Sequence, residues 1–262
     1  MKYALIGEKL SHSLSKVLHN EFFSVINEKS TYDMIEIEKD NFDCVFKDVL
    51  KKGYTGINVT IPYKFKVMDY LDKIDDAAKK IGAVNTICFE DGVKKGYNTD
   101  FYGLIATYER FNVKIKDKDV VILGTGGASK AVEKSVEHLG AKSITYVSRD
   151  KSKKLNYKVI DYLDKITGDV LINSTPVGMY PKMDLAPVCD TSSFSDVVDL
   201  IYNPYETLLL KNAKKSGANT VNGLYMLVAQ GICSQQLWHK KEFDKSIIDK
   251  IYEKIKDEIK VN

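Results

Sequence analysis

Residues Val120–Ala131 read VVILGTGGASKA, and the architecture is worked outward from them. Four apolar residues, Val120 to Leu123, run into Gly124, Gly126 and Gly127, and small or helix-forming residues follow. That is the pattern of a buried parallel strand, a glycine turn and a helix start. Backbone amides at such a helix N-terminus, with the positive end of its dipole, suit a pyrophosphate. Glycine lets the main chain approach the phosphates with no Cβ in the way. The motif is G-x-G-G-x-S, with Ser129 where a third glycine would complete G-x-G-x-x-G. Alone it is also compatible with an ordinary strand-to-helix turn, so the neighbouring sequence has to decide.

The next apolar run, Ser143–Ser148 (SITYVS), reads as the second strand of the same unit, after a helix closed by Gly140. NAD-preferring sites carry an acidic side chain at the end of this strand, where it accepts from the ribose hydroxyls. Here Ser148 and Arg149 occupy that place, with Lys151, Lys153 and Lys154 close behind. A guanidinium forks onto a phosphate and a hydroxyl donates to it, so the pair suits the 2′-phosphate of NADP(H). Asp150 would repel that phosphate; its other reading is a cap on the following turn.

At 262 residues the chain has room for one large domain or two modest ones. A net charge of +3, with lysines interspersed among acids, gives no argument for a nucleic-acid partner. Cys44, Cys88, Cys189 and Cys233 are scattered with no C-x-x-C pair. That fits neither a zinc site nor a disulfide framework, so no metal is expected and the thiols read as reduced and cytoplasmic. The apolar run Tyr3–Ile6 is too short for a signal peptide or a membrane span, and no membrane role is expected.

Taken in order, Lys2–Gly7 reads as a strand and Ser15–Ile26 as a helix with an apolar face of Val17, Leu18, Phe22, Val25 and Ile26. Between them, the serines of LSHSLS (Leu10–Ser15) suit either helix capping or an anion site. A strand around Met34–Ile37 and a helix over Asn41–Lys52 follow. In GINVTIPYK (Gly56–Lys64), Ile57, Val59 and Ile61 alternate with Asn58 and Thr60, so the apolar set is expected to face the core. Pro62 ends that strand, and a helix is expected over Lys64–Ile74. Lys64 then sits where a strand's C-terminal end meets a helix start, the usual place for ligands in α/β sheets, and where the dipole disfavours an ammonium. Helix Asp75–Ile81 delivers Gly82–Thr86 (GAVNT), followed by strand Thr86–Phe89 and a turn at Glu90–Gly92. GYNTD (Gly96–Asp100) leads into helix Phe101–Phe111, with Thr99 and Asp100 as natural caps and Asn98 as a turn residue. Beyond the glycine loop, strands are expected at Asp169–Asn173, Val197–Tyr202 and Asn219–Val221. Helices are expected over Glu206–Ser216, from Leu224, and over Lys245–Lys260.

The motifs taken together resemble the shikimate dehydrogenase family. They are SHSLS (Ser11–Ser15) with His19–Asn20, NVTIPYK (Asn58–Lys64), GAVNT (Gly82–Thr86), NTDFYG (Asn98–Gly103), LGTGGASKA (Leu123–Ala131), SR (Ser148–Arg149), NSTPVGM (Asn173–Met179), DLIYNP (Asp199–Pro204) and NGLYMLVAQ (Asn222–Gln230). The resemblance implies an α/β fold of two domains. Residues 1–102 and 223–262 would form a discontinuous substrate-binding catalytic domain, and residues 103–222 a doubly wound, Rossmann-like NADP domain. It implies reversible NADPH-dependent reduction of 3-dehydroshikimate to shikimate in aromatic amino-acid biosynthesis. Ser13, Ser15 and Tyr202 would then hold the substrate carboxylate, and Thr60, Asn85, Asp100 and Gln230 its hydroxyls. Lys64 matches the catalytic lysine, paired with Asp100. Gly124, Thr125, Gly126, Gly127 and Ala128 match the phosphate loop, through Lys130, and Ser148–Arg149 the 2′-phosphate clamp. Leu200 and Gly223 match positions beside the nicotinamide, and Asp76 a weaker cofactor contact. A monomer or a homodimer is the assembly expected.

Reducing a ketone requires a proton on its oxygen, so an acid must lie within hydrogen-bond reach of it, and Lys64 with Asp100 answers that need. Three departures from the family pattern stand out. Lys16 replaces a proline and Tyr225 a frequent glycine. Only 19 residues separate Arg149 from the strand beginning at Asp169, which leaves the adenine side one element short. Weakened cofactor binding is expected from that. The rival readings are a quinate/shikimate dehydrogenase of dual specificity, toward which Asp150 leans, and a dinucleotide-binding regulator without catalysis. The regulator would have no chemical need for Lys64 and Asp100 together.

Overall fold

The computed structural model describes residues 1–152 and 155–261, without the side chains of residues 260 and 261. Lys153 and Lys154, noted above beside Arg149, lie outside the described residues. The chain divides into two compact units, Met1–Tyr102 with Val228–Ile255, and Gly103–Leu227 with Lys256–Asn262.

The first unit opens with β1 (Lys2–Gly7), α1 (Ser15–Val25), β2 (Thr31–Glu36), α2 (Phe42–Val49) and β3 (Gly56–Val59). It continues with β4 (Lys73–Ile74), α3 (Asp76–Ile81), β5 (Thr86–Glu90), β6 (Val93–Tyr97) and the start of α4 (Thr99–Arg110). The sheet runs β2-β1-β3-β5-β6-β4. Strands β2, β1 and β3 are parallel, and β5 is antiparallel to both of its neighbours. Ile6, Phe42, Phe46, Ile57, Val67 and Ile87 are buried in one cluster, and Phe42 stacks on Tyr63 at 4.3 Å. Each such side chain contributes about 1.5–3 kcal/mol on burial, against about 0–1 for an exposed ion pair, so apolar packing holds this sheet together.

The secondary structure departs from expectation at two places in this unit. The helix over Lys64–Ile74 does not form: a turn leads to a short 3-10 segment, Lys66–Tyr70, and then to β4. Continuing an α-helix from Lys64 needs its carbonyl for the amide of residue 68. That carbonyl instead accepts from Val84 N–H at 2.8 Å, and Met68 N–H turns to Phe65 O at 3.1 Å. The macrodipole argument for Lys64 therefore has no helix behind it. The sequence reading also omits β6, which pairs antiparallel with β5 from Glu90↔Val93 to Thr86↔Tyr97. The hairpin turn is Asp91–Gly92, both at positive φ (49° and 78°), as a type I′ turn demands.

The second unit carries β7 (Asp119–Leu123), α5 (Gly127–His138), β8 (Ser143–Val147), β9 (Lys158–Ile160), β10 (Val170–Asn173), β11 (Asp196–Asp199), α6 (Leu208–Lys215) and β12 (Asn219–Val221). Its sheet is parallel throughout, in the order β12-β11-β10-β7-β8-β9. This is the doubly wound order, and its reversal point lies between β7 and β10, where ligands bind in such sheets. Val120–Leu123 and Val170–Ile172 are fully or nearly fully buried, as strands covered on both faces require. The strand expected at Val197–Tyr202 ends at Asp199, and β9 was not anticipated. The chain ends with α7 (Leu224–His239) and α8 (Ser246–Val261), the latter burying Ile251 and Ile255. Among the described residues, no helix is long and apolar enough to cross a membrane.

Candidate active site

In the first unit, Lys64 and Asp100 meet. The lysine Nζ donates to Asp100 Oδ2 at 2.6 Å, and the side chains are 22% and 12% exposed. Asn85, on the residue before β5, donates from Nδ2 to Asp100 Oδ1 at 2.9 Å, so both carboxylate oxygens have partners. The same amide lies 3.0 Å from Thr99 Oγ1 and 3.4 Å from Gln230 Oε1. Its carbonyl accepts from Thr99 N–H at 2.7 Å. Five of the sequence-derived positions are thus placed in the fold: Thr60 directly after β3 and Lys64 four residues on, Asn85 before β5, Asp100 in the first turn of α4, and Gln230 on α7.

Neither Thr99 nor Asp100 caps α4. Asn98 does, accepting from Phe101 N–H at 3.4 Å and donating to Ala83 O at 3.0 Å. Asp100 is therefore left available for Lys64. The serine pair does not cap α1 either, since the residue at the cap position is Leu14. Ser13 hydroxyl donates to Ser15 Oγ at 3.1 Å and accepts from Ser15 N–H at 3.3 Å, so the two form a local hydroxyl pair at the helix start.

The alternation expected around β3 is also corrected. Asn58 is 5% exposed, while Ile61 is 69% exposed, as is Phe65. Asn58 is buried because its amide is fully used: Oδ1 accepts from Tyr32 hydroxyl at 2.7 Å, and Nδ2 lies 3.0 Å from Ser234 Oγ and 3.1 Å from Thr86 Oγ1. Without those partners its burial would cost about 1–3 kcal/mol. Ser234 also reaches Thr86 and Thr99 at 2.9 and 3.2 Å, linking this layer to the Asn85–Asp100 pair. The sequence reading missed Ser234, although it lies one turn after Gln230, on the same face of α7.

Asp76 lies in the first turn of α3, paired with Lys79 at 3.5 Å, on a cleft of about 470 Å³ that Asp72, Asp75 and Lys95 also line.

The second unit holds a larger cleft, about 830 Å³, at the reversal point of its sheet. Gly124, Thr125 and Gly126 line it after β7, Ser148, Arg149 and Asp150 after β8, and Ser174–Val177 after β10. Gly124 has φ +89°, and a Cβ there would lie 2.7 Å from Thr175 Cγ2, so glycine is required. A Cβ at Gly126 or Gly127 would meet nothing within 4 Å, which leaves their faces open toward a ligand. Helix α5 starts at Gly127, with Ala128 in its first turn. Ser129 is buried, its hydroxyl satisfied by Gly126 O at 2.7 Å. Free amides at a helix start, a hydroxyl and a guanidinium are a donor set that fits a phosphorylated dinucleotide. Asp150 caps its turn, accepting from Ser152 N–H and Oγ at 2.9 and 2.6 Å, so its preference for a ribose hydroxyl loses its support.

Leu200 and Gly223 are neighbours: a Cβ on Gly223 would lie 2.0 Å from Leu200 O. Tyr202 is half-buried in the segment after β11. Tyr225 is buried edge-on to Phe111, at 5.6 Å between ring centroids. Asp199 at the end of β11 is buried, and desolvation pushes its carboxyl up to about 6. It accepts from Asn173 Nδ2, Thr207 hydroxyl and Ile201 N–H at 2.9, 2.7 and 3.1 Å. Among the described residues, no three His, Cys, Asp or Glu side chains gather as metal ligands.

Residues 5–87 match the family model described as the shikimate dehydrogenase substrate binding domain. The chain is 42% identical over 267 residues to the shikimate dehydrogenase (NADP(+)) of Clostridium beijerinckii, covering 98% of this chain and 99% of that one. It superposes on the crystal structure of a chorismate mutase/shikimate 5-dehydrogenase fusion protein from Clostridium acetobutylicum with a TM-score of 0.95 and 43% identity, covering 99% and 98% of the two chains. A Thermus thermophilus shikimate 5-dehydrogenase, solved with NADP(H) and shikimate, gives 0.87 at 26% identity, covering 97% and 99%.

Proposed function

The chain belongs to the shikimate dehydrogenase family, and from that premise we propose which of its residues carry out the reversible NADPH-dependent reduction of 3-dehydroshikimate to shikimate. The reading rests on one observation, the Lys64–Asp100 contact at 2.6 Å with Asn85 on the second carboxylate oxygen. Lys64 is the acid that protonates the ketone oxygen in reduction and the base that takes the proton back in oxidation. Asp100 holds the ammonium in place and accepts from a substrate hydroxyl, and Asn85, Thr60 and Gln230 bind the ring hydroxyls. Ser13 and Ser15, with Tyr202, bind the substrate carboxylate. When bound, NADPH supplies the hydride.

Gly124–Ala128 hold its diphosphate, Ser148 and Arg149 its 2′-phosphate, Leu200 and Gly223 flank its nicotinamide, and Asp76 adds a weaker contact. Residues 1–102 and 223–262 are the catalytic domain and residues 103–222 the NADP domain. The reduced cofactor and four free cysteines suit a cytoplasmic setting.

The test is nicotinamide absorbance with shikimate and quinate, each with NADP+ and NAD+. Activity confined to shikimate with NADP+ is expected, and comparable activity in another pairing would overturn the specificity proposed here. Lys64→Ala is expected to lower turnover by about 10²–10⁴-fold with the fold intact, and near-normal turnover would refute its role.

A further inference from the structure

The large cleft of the second unit has a wall that neither the sequence motifs nor the family comparison assigns. Strands β7, β8 and β9 are consecutive neighbours in the sheet, and the segment after each reaches the cleft: Gly124–Gly126, then Ser148–Asp150, then Tyr162. A ligand whose diphosphate lies on the glycine loop and whose 2′-phosphate lies on Arg149 therefore presents its base toward the β9 side. The link between β8 and β9 is ten residues, 148–157, shorter than the dozen or so that a helical crossover needs. Among its described residues there is no helix.

Tyr162 stands in that place and is held from two directions. Its ring packs on the core cluster that contains Leu123, Val147 and Leu171. Its turn is closed by Asp161 N–H to Asp164 Oδ2 at 2.7 Å and Leu163 N–H to Asp161 Oδ1 at 2.9 Å. Lys151, two residues past Arg149, pairs with Asp164 at 2.8 Å, which ties the turn to the phosphate clamp. Pro187 and Ala186 add apolar surface on the same cleft. A fixed aromatic face beside a guanidinium is what a planar base stacks against.

We propose that Tyr162 is the stacking wall for the adenine of the dinucleotide, in place of the element missing between β8 and β9. Burial raises its phenol, with Arg149 acting in the opposite direction, so the ring is neutral at physiological pH. This inference rests on the NADP reading of the cleft.

The experiment is calorimetric titration of the full-length protein with adenosine 2′,5′-bisphosphate, which carries the base and 2′-phosphate but no nicotinamide. Tyr162→Leu, which keeps the apolar packing but removes the flat face, is expected to weaken binding roughly 5- to 100-fold. Tyr162→Phe is expected to stay within about twofold of the parent, because the ring and not the hydroxyl does the stacking. In the unsubstituted protein, saturation with the probe is expected to move the Tyr162 ring-proton resonances upfield. Unchanged affinity in Tyr162→Leu, equal losses in the two variants, or static ring resonances would overturn the inference while leaving the NADP reading standing. Absence of any binding by the parent protein would overturn both.

Discussion

Replacing Asp199 by asparagine tests whether burial controls the charge at the centre of the second unit. The carboxylate sits fully buried at the end of β11, and desolvation moves it from its ordinary 3.8 to about 6 against three hydrogen bonds that favour ionisation. Between those two values the folded protein holds a proton that the unfolded chain has released, so stability falls as pH rises through that window. At about 1.36 kcal/mol per pH unit, the gap amounts to about 3 kcal/mol, of which about 2–3 kcal/mol is lost between pH 4 and pH 7. Asp199→Asn keeps an oxygen for Asn173 and Ile201 and turns an amide toward Thr207, a pH-independent change of about 1–2 kcal/mol. The stability difference, variant minus parent, is therefore expected to rise by about 2–3 kcal/mol from pH 4 to pH 7. Urea unfolding followed by far-UV circular dichroism measures it, with Trp238 fluorescence reporting separately on the first unit. Carboxyl 13C resonances give the titration directly. A pH-independent difference, or an Asp199 resonance that titrates near 4, would refute the reasoning.

Three further outcomes are expected. His19 is buried, stacked on Tyr32 at 4.1 Å and bonded to Gln235 at 2.7 Å, and burial lowers its imidazole to about 3. The stability this neutral ring contributes is present above pH 6.5 and is lost as pH falls toward 3, so its 15N resonances should stay those of a neutral imidazole at pH 5; an imidazolium there would contradict it. Gly223→Ala drives a Cβ against the Leu200 carbonyl, and a lower melting temperature together with a raised NADP+ Kd is expected; parent-like values for both would show that the close approach is dispensable. Ten residues link β8 to β9, fewer than a helical crossover needs on the adenine side. NADP+ is therefore expected to bind more weakly than to a relative with the longer segment, and equal Kd values by calorimetry would remove that expectation.

What was legible in the sequence was what depends on near neighbours. The run Val120–Leu123 is apolar without alternation because both faces of β7 are covered, and the three glycines follow within four residues, so the loop could be read locally. Lys64 and Asp100 could be named individually, and their pairing came from the family resemblance, because they lie 36 positions apart and no local pattern joins them. The failures have the same origin seen from the other side. Lys64–Ile74 has helical spacing, but the helix loses to a bond from Val84, twenty residues away, that no periodicity records. Ser234 looks like any small residue on an apolar helix until β3, β5 and α4 bring Asn58, Thr86 and Thr99 around it. Tyr162 is one of sixteen tyrosines, and only the strand order β7-β8-β9 sets it beside the phosphate clamp. Only β6 was both local and overlooked: the turn at Glu90–Gly92 was read, but not the hairpin strand Val93–Tyr97 that its Asp-Gly dipeptide announces. Chemistry here is thus written in residue types that the sequence displays, while the layer that positions them is written in pairings across the sheets.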